Sequence, residues 1–221
     1  MNAGTQEQAV DCYLIGHYPT QLIDVRKLRD GRRLTLRPVL PQDHRLLAEL
    51  IDGLSDHSRH QRFPDAQQPL SPDEVTALAC VDYRRHLALV VGIEHEGRER
   101  LVAEARYLID EDGHAEVALV VADAWQRSGI GTWAMLALSR AAGEAGAGWL
   151  QGNVLAENRA MLGLMRRCRF CCTVDRLDPR VVHVETRPRA LNAHRASASD
   201  RPHSWVRRLL GASPTGALTH Y

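Results

Sequence analysis

The sequence has few aromatic residues, a single lysine and no long hydrophobic run. Aromatic residues make up 5% of the 221 residues, and because Lys27 is the only lysine, arginine carries nearly all of the positive charge. We interpret this imbalance as a compositional bias rather than as site chemistry. The first thirty residues lack both the apolar core of a signal peptide and the ~20 apolar residues of a membrane span. These absences predict a soluble protein that is not exported by a signal peptide.

Net charge and cysteine content limit the kinds of binding partner and the cellular compartment that we expect. The formal net charge is +1 at pH 7, with 25% charged and 44% hydrophobic residues, the balance of an ordinary globular domain. This balance argues against a nucleic-acid partner and an anionic membrane surface. Five cysteines, an odd number in a chain long enough to build a core, favour the cytoplasm. Cys168, Cys171 and Cys172 lack a metal-ligand spacing, so no metal site is predicted.

Three regions differ in hydrophobic pattern. Residues 1–32 are weakly periodic, with short extended pieces predicted around Tyr13 to Ile15, and we treat them as an N-terminal extension. Residues 33–186 are periodic throughout and form one predicted domain. Residues 187–221 hold six arginines and one acidic residue without periodicity, which predicts a basic, flexible tail. The tail is either a solvated terminus or an arm that contacts an acidic partner.

The periodicity of the central region predicts an α+β fold. A strand from Leu34 is followed by a helix over 43–51, and Ser71, Pro72 and Glu74 give the start signal of a second helix. The polar, proline-bounded stretch between these helices, residues 54–69, is predicted to form neither a helix nor a strand. The later patterns predict three antiparallel strands, a helix, a strand, a helix and two strands, at about residues 86–97, 100–113, 115–123, 132–142, 149–155, 158–168, 170–174 and 181–184.

The sharpest local motif is VVADAWQRSGIG at residues 120–131, where a β-branched strand runs into a glycine-spaced turn that opens a helix. Glycine lets the backbone approach a ligand, and the first N–H groups of a helix have no partner within it, so such a turn can bind phosphate. The spacing alone leaves open a turn whose glycines serve packing only. The phosphate loops of nucleotide hydrolases and of dinucleotide folds are absent, which disfavours those two classes.

The segment Gln126 to Gly131 resembles the Q/R-x-x-G-x-G/A signature of the GCN5-related N-acetyltransferases, the GNAT family. The segment Asn158 to Phe170 resembles a second family element, an asparagine followed by a helix that ends in a Gly-Phe pair. The resemblance covers about residues 34–185 and is greatest, in LRPVLPQD, SRHQRF, AEVALVVADAWQRSGIG and NVLAENRAML, to the acetyltransferase domain of bacterial protein lysine acetyltransferases. It implies the GNAT fold, a central mixed, mostly antiparallel sheet flanked by helices, and an acetyl-CoA-dependent enzyme.

The resemblance also implies roles for individual residues. The strand residues Leu119, Val120 and Val121 would pair their backbone with the pantetheine arm of coenzyme A, and Asn158 would lie near its thiol end. The backbone N–H groups of the following loop would hold the pyrophosphate, at Gln126, Arg127, Ser128, Gly129, Ile130, Gly131 and Thr132.

Glu116 stands where related lysine acetyltransferases carry a general base. Acyl transfer needs a base because an ammonium ion has no lone pair with which to attack a thioester. An exposed strand start would also explain a glutamate at this position. Met165 occupies the place of a tyrosine that protonates the leaving thiolate in many relatives, and Arg169 replaces the glycine of the Gly-Phe pair. The general acid is therefore unassigned.

Three functions remain open. The first is transfer of acetyl from acetyl-CoA to a primary amine, for which we expect a protein lysine. The second keeps this chemistry with a small-molecule amine, and the third is a non-catalytic acetyl-CoA sensor or partner-binding module. The segments His57 to Phe63 and Asp82 to Tyr83 are candidates for the acceptor side. The sequence does not distinguish a monomer from a homodimer.

Overall fold

The computed structural model describes residues 18–28, 30–64 and 69–188. Most of the basic tail and the extended pieces expected near Tyr13 lie outside the described residues. The strands are β1 (Asp24–Lys27), β2 (Arg33–Pro38), β3 (His86–His95), β4 (Arg98–Ile109), β5 (His114–Val121), β6 (Trp149–Leu155), β7 (Cys171–Val174) and β8 (Val181–Thr186). The helices are α1 (His44–Asp52), α2 (Asp56–Arg62), α3 (Pro72–Ala79), α4 (Ile130–Glu144) and α5 (Arg159–Arg167).

The strands form one sheet in the order β1-β2-β3-β4-β5-β6-β8-β7. All neighbouring strands are antiparallel except β5 and β6, which are parallel. A parallel pair needs a crossover connection, and α4 supplies it. The predicted mixed, mostly antiparallel sheet flanked by helices is confirmed.

A hydrophobic core lies on each face of the sheet. One core packs α4 and α5 against strand residues such as Leu89 and Leu119. The other packs α1 and α3 against residues such as Val90 and Val120. Because β3 is buried on both faces, its sequence is a continuous apolar run rather than an alternating one.

The parallel pair separates after three residues. His114, Ala115 and Glu116 pair with residues 149–151 of β6, and the register ends there. A side chain at Gly152, the next residue of β6, would lie 3.1 Å from the carbonyl oxygen of Val117. Within the described residues no strand pairs with residues 117–121 on this side. The gap between the two strands is where the site described below is built.

Two elements were not expected from the sequence. β1 pairs with β2, so part of the segment treated as an extension belongs to the sheet. Its four residues are all exposed and carry no hydrophobic alternation, so their pattern does not indicate a strand. Helix α2 has the polar sequence DHSRHQR without apolar spacing, but Ser55 caps it by accepting a hydrogen bond from the Ser58 N–H at 3.2 Å. Ser55, a residue type favoured at helix starts, was the one feature of the sequence that could have indicated α2.

The helix boundaries follow their capping chemistry. The start of α3 is confirmed, with the Ser71 hydroxyl accepting from the Glu74 N–H and the Glu74 carboxylate accepting from the Ser71 N–H. Gly143 follows the predicted helix over 132–142 but does not end α4. The helix continues to Glu144, and Gly146 supplies the left-handed residue with φ +86°.

A buried charge network joins α2, α3 and the centre of the sheet. Glu104 of β4 accepts from the Arg62 guanidinium at 3.0 Å and from Arg106 beside it. Although burial alone would raise the pKa of the Glu104 carboxyl, the two guanidinium groups lower it. Arg106 also donates to the carbonyl of Leu78 at 2.9 Å and lies 3.2 Å from Nε2 of His86.

His86 makes the stability of this network depend on pH. Its burial, with Arg106 close by, lowers the imidazole pKa to about 4 from its ordinary value of 6.5. The unfolded chain therefore takes up a proton near pH 6.5, whereas the folded protein does so only near pH 4. We expect the free energy of unfolding to fall as the pH drops through this window, by up to about 3 kcal/mol.

Urea unfolding at pH 7, 5.5 and 4.5 measures this effect in the wild type and in His86→Gln. The variant should lose much of the dependence, whereas His95→Gln, at the exposed end of the same strand, should retain it. An equal pH dependence in all three proteins would contradict the assignment to His86.

Candidate active site

A cleft of about 510 Å³ opens where β5 and β6 separate. The end of β5, the loop that leads into α4 and the exposed side of α5 form its walls. It brings together nine of the residues that the sequence predicted for coenzyme A binding, namely Leu119, Val120, Val121, Gln126, Arg127, Gly129, Gly131, Thr132 and Asn158.

The start of α4 presents free backbone donors to this cleft. Gly129 precedes the helix in the left-handed conformation, with φ +88°, and a side chain there would meet no atom within 4 Å. The first hydrogen bond of the helix runs from the Trp133 N–H to the Gly129 carbonyl at 3.0 Å. The N–H groups of the three preceding residues, 130–132, therefore have no partner within the helix. Together with the positive end of the helix dipole they form an anion-binding site.

Gly131 allows α4 to approach both β5 and α5. A Cβ atom at this position would lie 2.6 Å from Cδ1 of Leu164 and 3.3 Å from Cδ2 of Leu119. Both distances are too short for an ordinary contact, so only glycine fits without a shift of its neighbours. The two glycines of the motif thus have different tasks, a turn at Gly129 and a close approach at Gly131.

Three side chains of the loop are engaged within the protein. The Gln126 amide donates to the Ser58 hydroxyl at 3.1 Å and to the Val121 carbonyl at 3.3 Å. The Ser128 hydroxyl donates to the Trp125 carbonyl, and Ile130 is buried in the core. If these residues contact coenzyme A, they do so through their backbone.

Helix α5 adds a basic face that the sequence interpretation missed. Arg159, Gly163 and Arg167 follow one another at intervals of four and all line the cleft. This spacing places them on one side of a helix, and it was the signal available in the sequence. Arg127 lines the cleft from the loop, so three guanidinium groups surround it in addition to that of Arg62, which bonds Glu104.

Asn158 has a structural task at the start of α5. Its carboxamide oxygen accepts from the Met161 N–H at 3.0 Å and so caps the helix. At the other end, Arg169 adopts a left-handed φ of +67° where the family pattern has glycine. The turn is kept without glycine, because the Phe170 N–H still donates to the Met165 carbonyl at 2.9 Å.

A second pocket of about 660 Å³ adjoins the first and contains Glu116 in its wall. Five residues line both pockets, so the two pockets share a wall, and we refer to them together as the channel: Gln61, Arg62, Leu119, Asn158 and Met161. Met165, only 3% exposed, lines the second pocket in the position of the expected tyrosine.

Of the two segments predicted for the acceptor side, one lines the second pocket and the other does not. His60, Gln61 and Arg62, at the end of α2, line the second pocket. Asp82 and Tyr83 line neither pocket. The Asp82 carboxylate accepts from the N–H groups of Arg84 and His86, and the Tyr83 hydroxyl donates to the Val39 carbonyl, so these two residues hold a turn.

Comparison with known proteins identifies this arrangement. A family model described as an acetyltransferase (GNAT) domain matches residues 33–171. The chain belongs to the GNAT acetyltransferase family. Acetyl-CoA is the co-substrate of that family, and this member is an N-acetyltransferase. No helix in the described part of this GNAT chain is long and apolar enough to cross a membrane.

Similar proteins agree with the family assignment. The chain is 31% identical over 151 residues to acetyltransferase PA5475 of Pseudomonas aeruginosa, covering 68% of this chain and 78% of that protein. It is 34% identical over 146 residues to acetyltransferase Pat of Mycolicibacterium smegmatis, covering 64% of this chain and 42% of that protein. The crystal structure of the GNAT domain of S. lividans PAT has the same fold, with a TM-score of 0.68, 24% identity and coverage of 77% and 99%.

Replacement of Gly131 tests the close approach at the loop. In Gly131→Ala the new methyl group must displace the Leu164 side chain, which itself lines the cleft. We expect the Kd for acetyl-CoA to rise about tenfold, the equivalent of about 1.4 kcal/mol of overpacking. Calorimetric titration measures the Kd. Gly148→Ala is the matched control, because its Cβ would meet only a backbone oxygen at 3.9 Å. Equal affinity in both variants would contradict this role.

Proposed function

We propose that this GNAT enzyme transfers the acetyl group of acetyl-CoA to a primary amine, with a protein lysine as acceptor. The observation that carries the proposal is the channel formed by the two adjoining pockets, beside residues 117–121 of β5, which no described strand pairs with on the β6 side. An anion-binding helix start lies at one end of it, and a carboxylate, Glu116, lies in the wall at the other.

The first pocket has the chemistry that coenzyme A requires. Coenzyme A is a polyanion, and the free N–H groups at the start of α4 and the three arginines suit its phosphates. Its pantetheine arm carries amides, for which the unpaired backbone of residues 117–121 offers donors and acceptors. Leu119, Met161 and Leu164 supply apolar contacts for the methylene groups of the arm.

The second pocket has the chemistry of a cationic acceptor. Glu116, Glu157 and Asp178 line it, whereas its two guanidinium groups are each engaged with a carboxylate. Arg180 bonds Asp178 at 2.9 Å, and Arg62 bonds Glu104 at 3.0 Å. Glu116 and Glu157 add two further carboxylates to the wall, and carboxylates favour the approach of an ammonium group.

Glu116 acts in this proposal as the general base. It shares the face of β5 with Val120 and lies next to the point where the strands separate. Its carboxylate accepts a proton from the incoming ammonium, and the lone pair so released attacks the thioester carbonyl. The carbon–sulfur bond then breaks. Met165 has no proton to give, so the leaving sulfur is protonated by another group.

The choice of a protein lysine rests on the motifs that resemble those of bacterial lysine acetyltransferases, among them AEVALVVADAWQRSGIG and NVLAENRAML. A small-molecule amine is the second candidate, because a pocket of about 660 Å³ can enclose a whole small ligand.

Glu116→Gln tests the base. The substitution keeps the size of the side chain but removes its ability to accept a proton, so we expect turnover to fall about a hundredfold or more with the Kd for acetyl-CoA unchanged. Steady-state kinetics and calorimetry measure the two quantities. Glu157→Gln, a carboxamide in the same pocket, should retain turnover within a fewfold. The opposite ranking would move the base to Glu157.

The acceptor is tested with labelled acetyl-CoA and a cell lysate. Label that enters protein bands with wild type, but not with Glu116→Gln, supports the lysine acceptor. Label found only in the small-molecule fraction supports the second candidate. Binding of acetyl-CoA without any transfer would overturn the enzyme proposal in favour of a sensor.

A further inference from the structure

Two tryptophans bracket the phosphate loop, and an arginine of the N-terminal hairpin covers each of them. The loop, residues 126–132, runs from Trp125 to Trp133. The guanidinium carbon of Arg32 lies 4.7 Å from the ring centre of Trp125, and that of Arg26 lies 4.6 Å from the ring centre of Trp133. Both distances are typical of cation–π contacts.

A hydrogen bond strengthens the contact at the helix end of the loop. The Trp133 indole N–H donates to the Asp24 carboxylate at 2.8 Å, across 109 residues of sequence. Asp24 and Arg26 are two residues apart on β1 and so share one face of the strand. The indole they cover is only 2% exposed.

The hairpin itself is well fixed. All four residues of β1 are in register with β2, and Leu22 and Leu28, on either side of β1, pack against the core. A carboxylate from the turn holds Arg32, with Oδ2 of Asp30 2.8 Å from Nε and 2.6 Å from Nη2 of its guanidinium group. β1 and most of the turn precede residue 33, where the match to the family begins.

The first part of the loop is exposed, although the side chains of Gln126 and Ser128 bond to neighbouring groups. Four of its seven residues, 126–129, are exposed, and two residues are left-handed, Arg127 at φ +58° and Gly129 at φ +88°. Trp125 and Trp133 are the residues at which this exposed segment joins the rest of the fold. Loop amides that are already in place bind an anion without the cost of ordering them.

We propose that Asp24, Arg26 and Arg32 are positioning residues for acetyl-CoA. Through the two tryptophans they hold both ends of the phosphate loop in the geometry that binds the pyrophosphate. The N-terminal hairpin is then a working part of the cofactor site rather than an appendage. The inference rests on the proposed function, since it concerns the same cleft.

The test compares the single variants Arg26→Gln and Arg32→Gln with the double variant Arg26→Gln/Arg32→Gln in the full-length protein. We expect each single variant to raise the Kd and the KM for acetyl-CoA about three- to fivefold, and the double variant about tenfold or more. The kcat at saturating acetyl-CoA and the KM for the acceptor should stay within twofold. Lys27→Gln removes a charge from the opposite face of β1 and serves as the matched control.

Two further variants separate positioning from a general loss of stability. Asp24→Asn keeps an oxygen that can accept from the indole and should bind acetyl-CoA normally, whereas Asp24→Leu should weaken binding. All measurements are made well below the melting temperature of each variant. A lower melting temperature with unchanged Kd and KM for acetyl-CoA would overturn the proposal.

Hydrogen exchange of the loop amides gives a readout that does not depend on the ligand. Amides 126–132 should exchange faster in the double variant than in the wild type or Lys27→Gln. Unchanged exchange would overturn the proposal as well. The wild type could fail to bind acetyl-CoA while the loop amides still exchange faster in the double variant. That combination would support the role of the hairpin in positioning the loop and would contradict only the proposed function.

Discussion

The site depends on the early separation of β5 from β6. The two strands pair for three residues only, and Gly152 lies against the Val117 carbonyl at the point where they part. From there to Val121 the backbone of β5 faces the channel instead of a neighbouring strand. An edge of this kind is ready to pair with an extended, amide-bearing ligand. The phosphate loop, α5 and the acceptor pocket are all arranged around this edge.

Charge is distributed unevenly along the channel. Free N–H groups and the arginines Arg127, Arg159 and Arg167 surround one end, and carboxylates line the other. The buried Arg62 and Glu104 pair lies at the junction and ties the end of α2 to the centre of the sheet. The tie from Gln126 to Ser58, which also bonds Asp123, links the same helix to the phosphate loop. The position of α2 is therefore coupled to both ends of the channel.

Most of the fold could be predicted because the relevant signals are local. The apolar runs of β3 to β5, the capping residues of α3 and the glycine turn before α4 each act within a few residues. The nine cleft residues followed from one motif and from Asn158. The elements and roles that were predicted wrongly have physical reasons. Strand β1 is short and exposed, and α2 is polar all round. Asp82 and Tyr83 hold a turn through contacts with the backbone, which no sequence pattern indicates.

The sequence by itself determined the order of the elements and the glycine turn before α4, because periodicity, capping and glycine placement are properties of neighbouring residues. The mixed sheet and the cofactor residues were implied by the resemblance of its motifs to the GNAT family. Only the tertiary structure decided which side chains meet. The contact between Asp24 and Trp133 spans 109 residues, and the tie between Gln126 and Ser58 spans 68. Such pairs arise from strand order and helix packing, which bring distant segments together. The sequence pattern of neither segment indicates the contact.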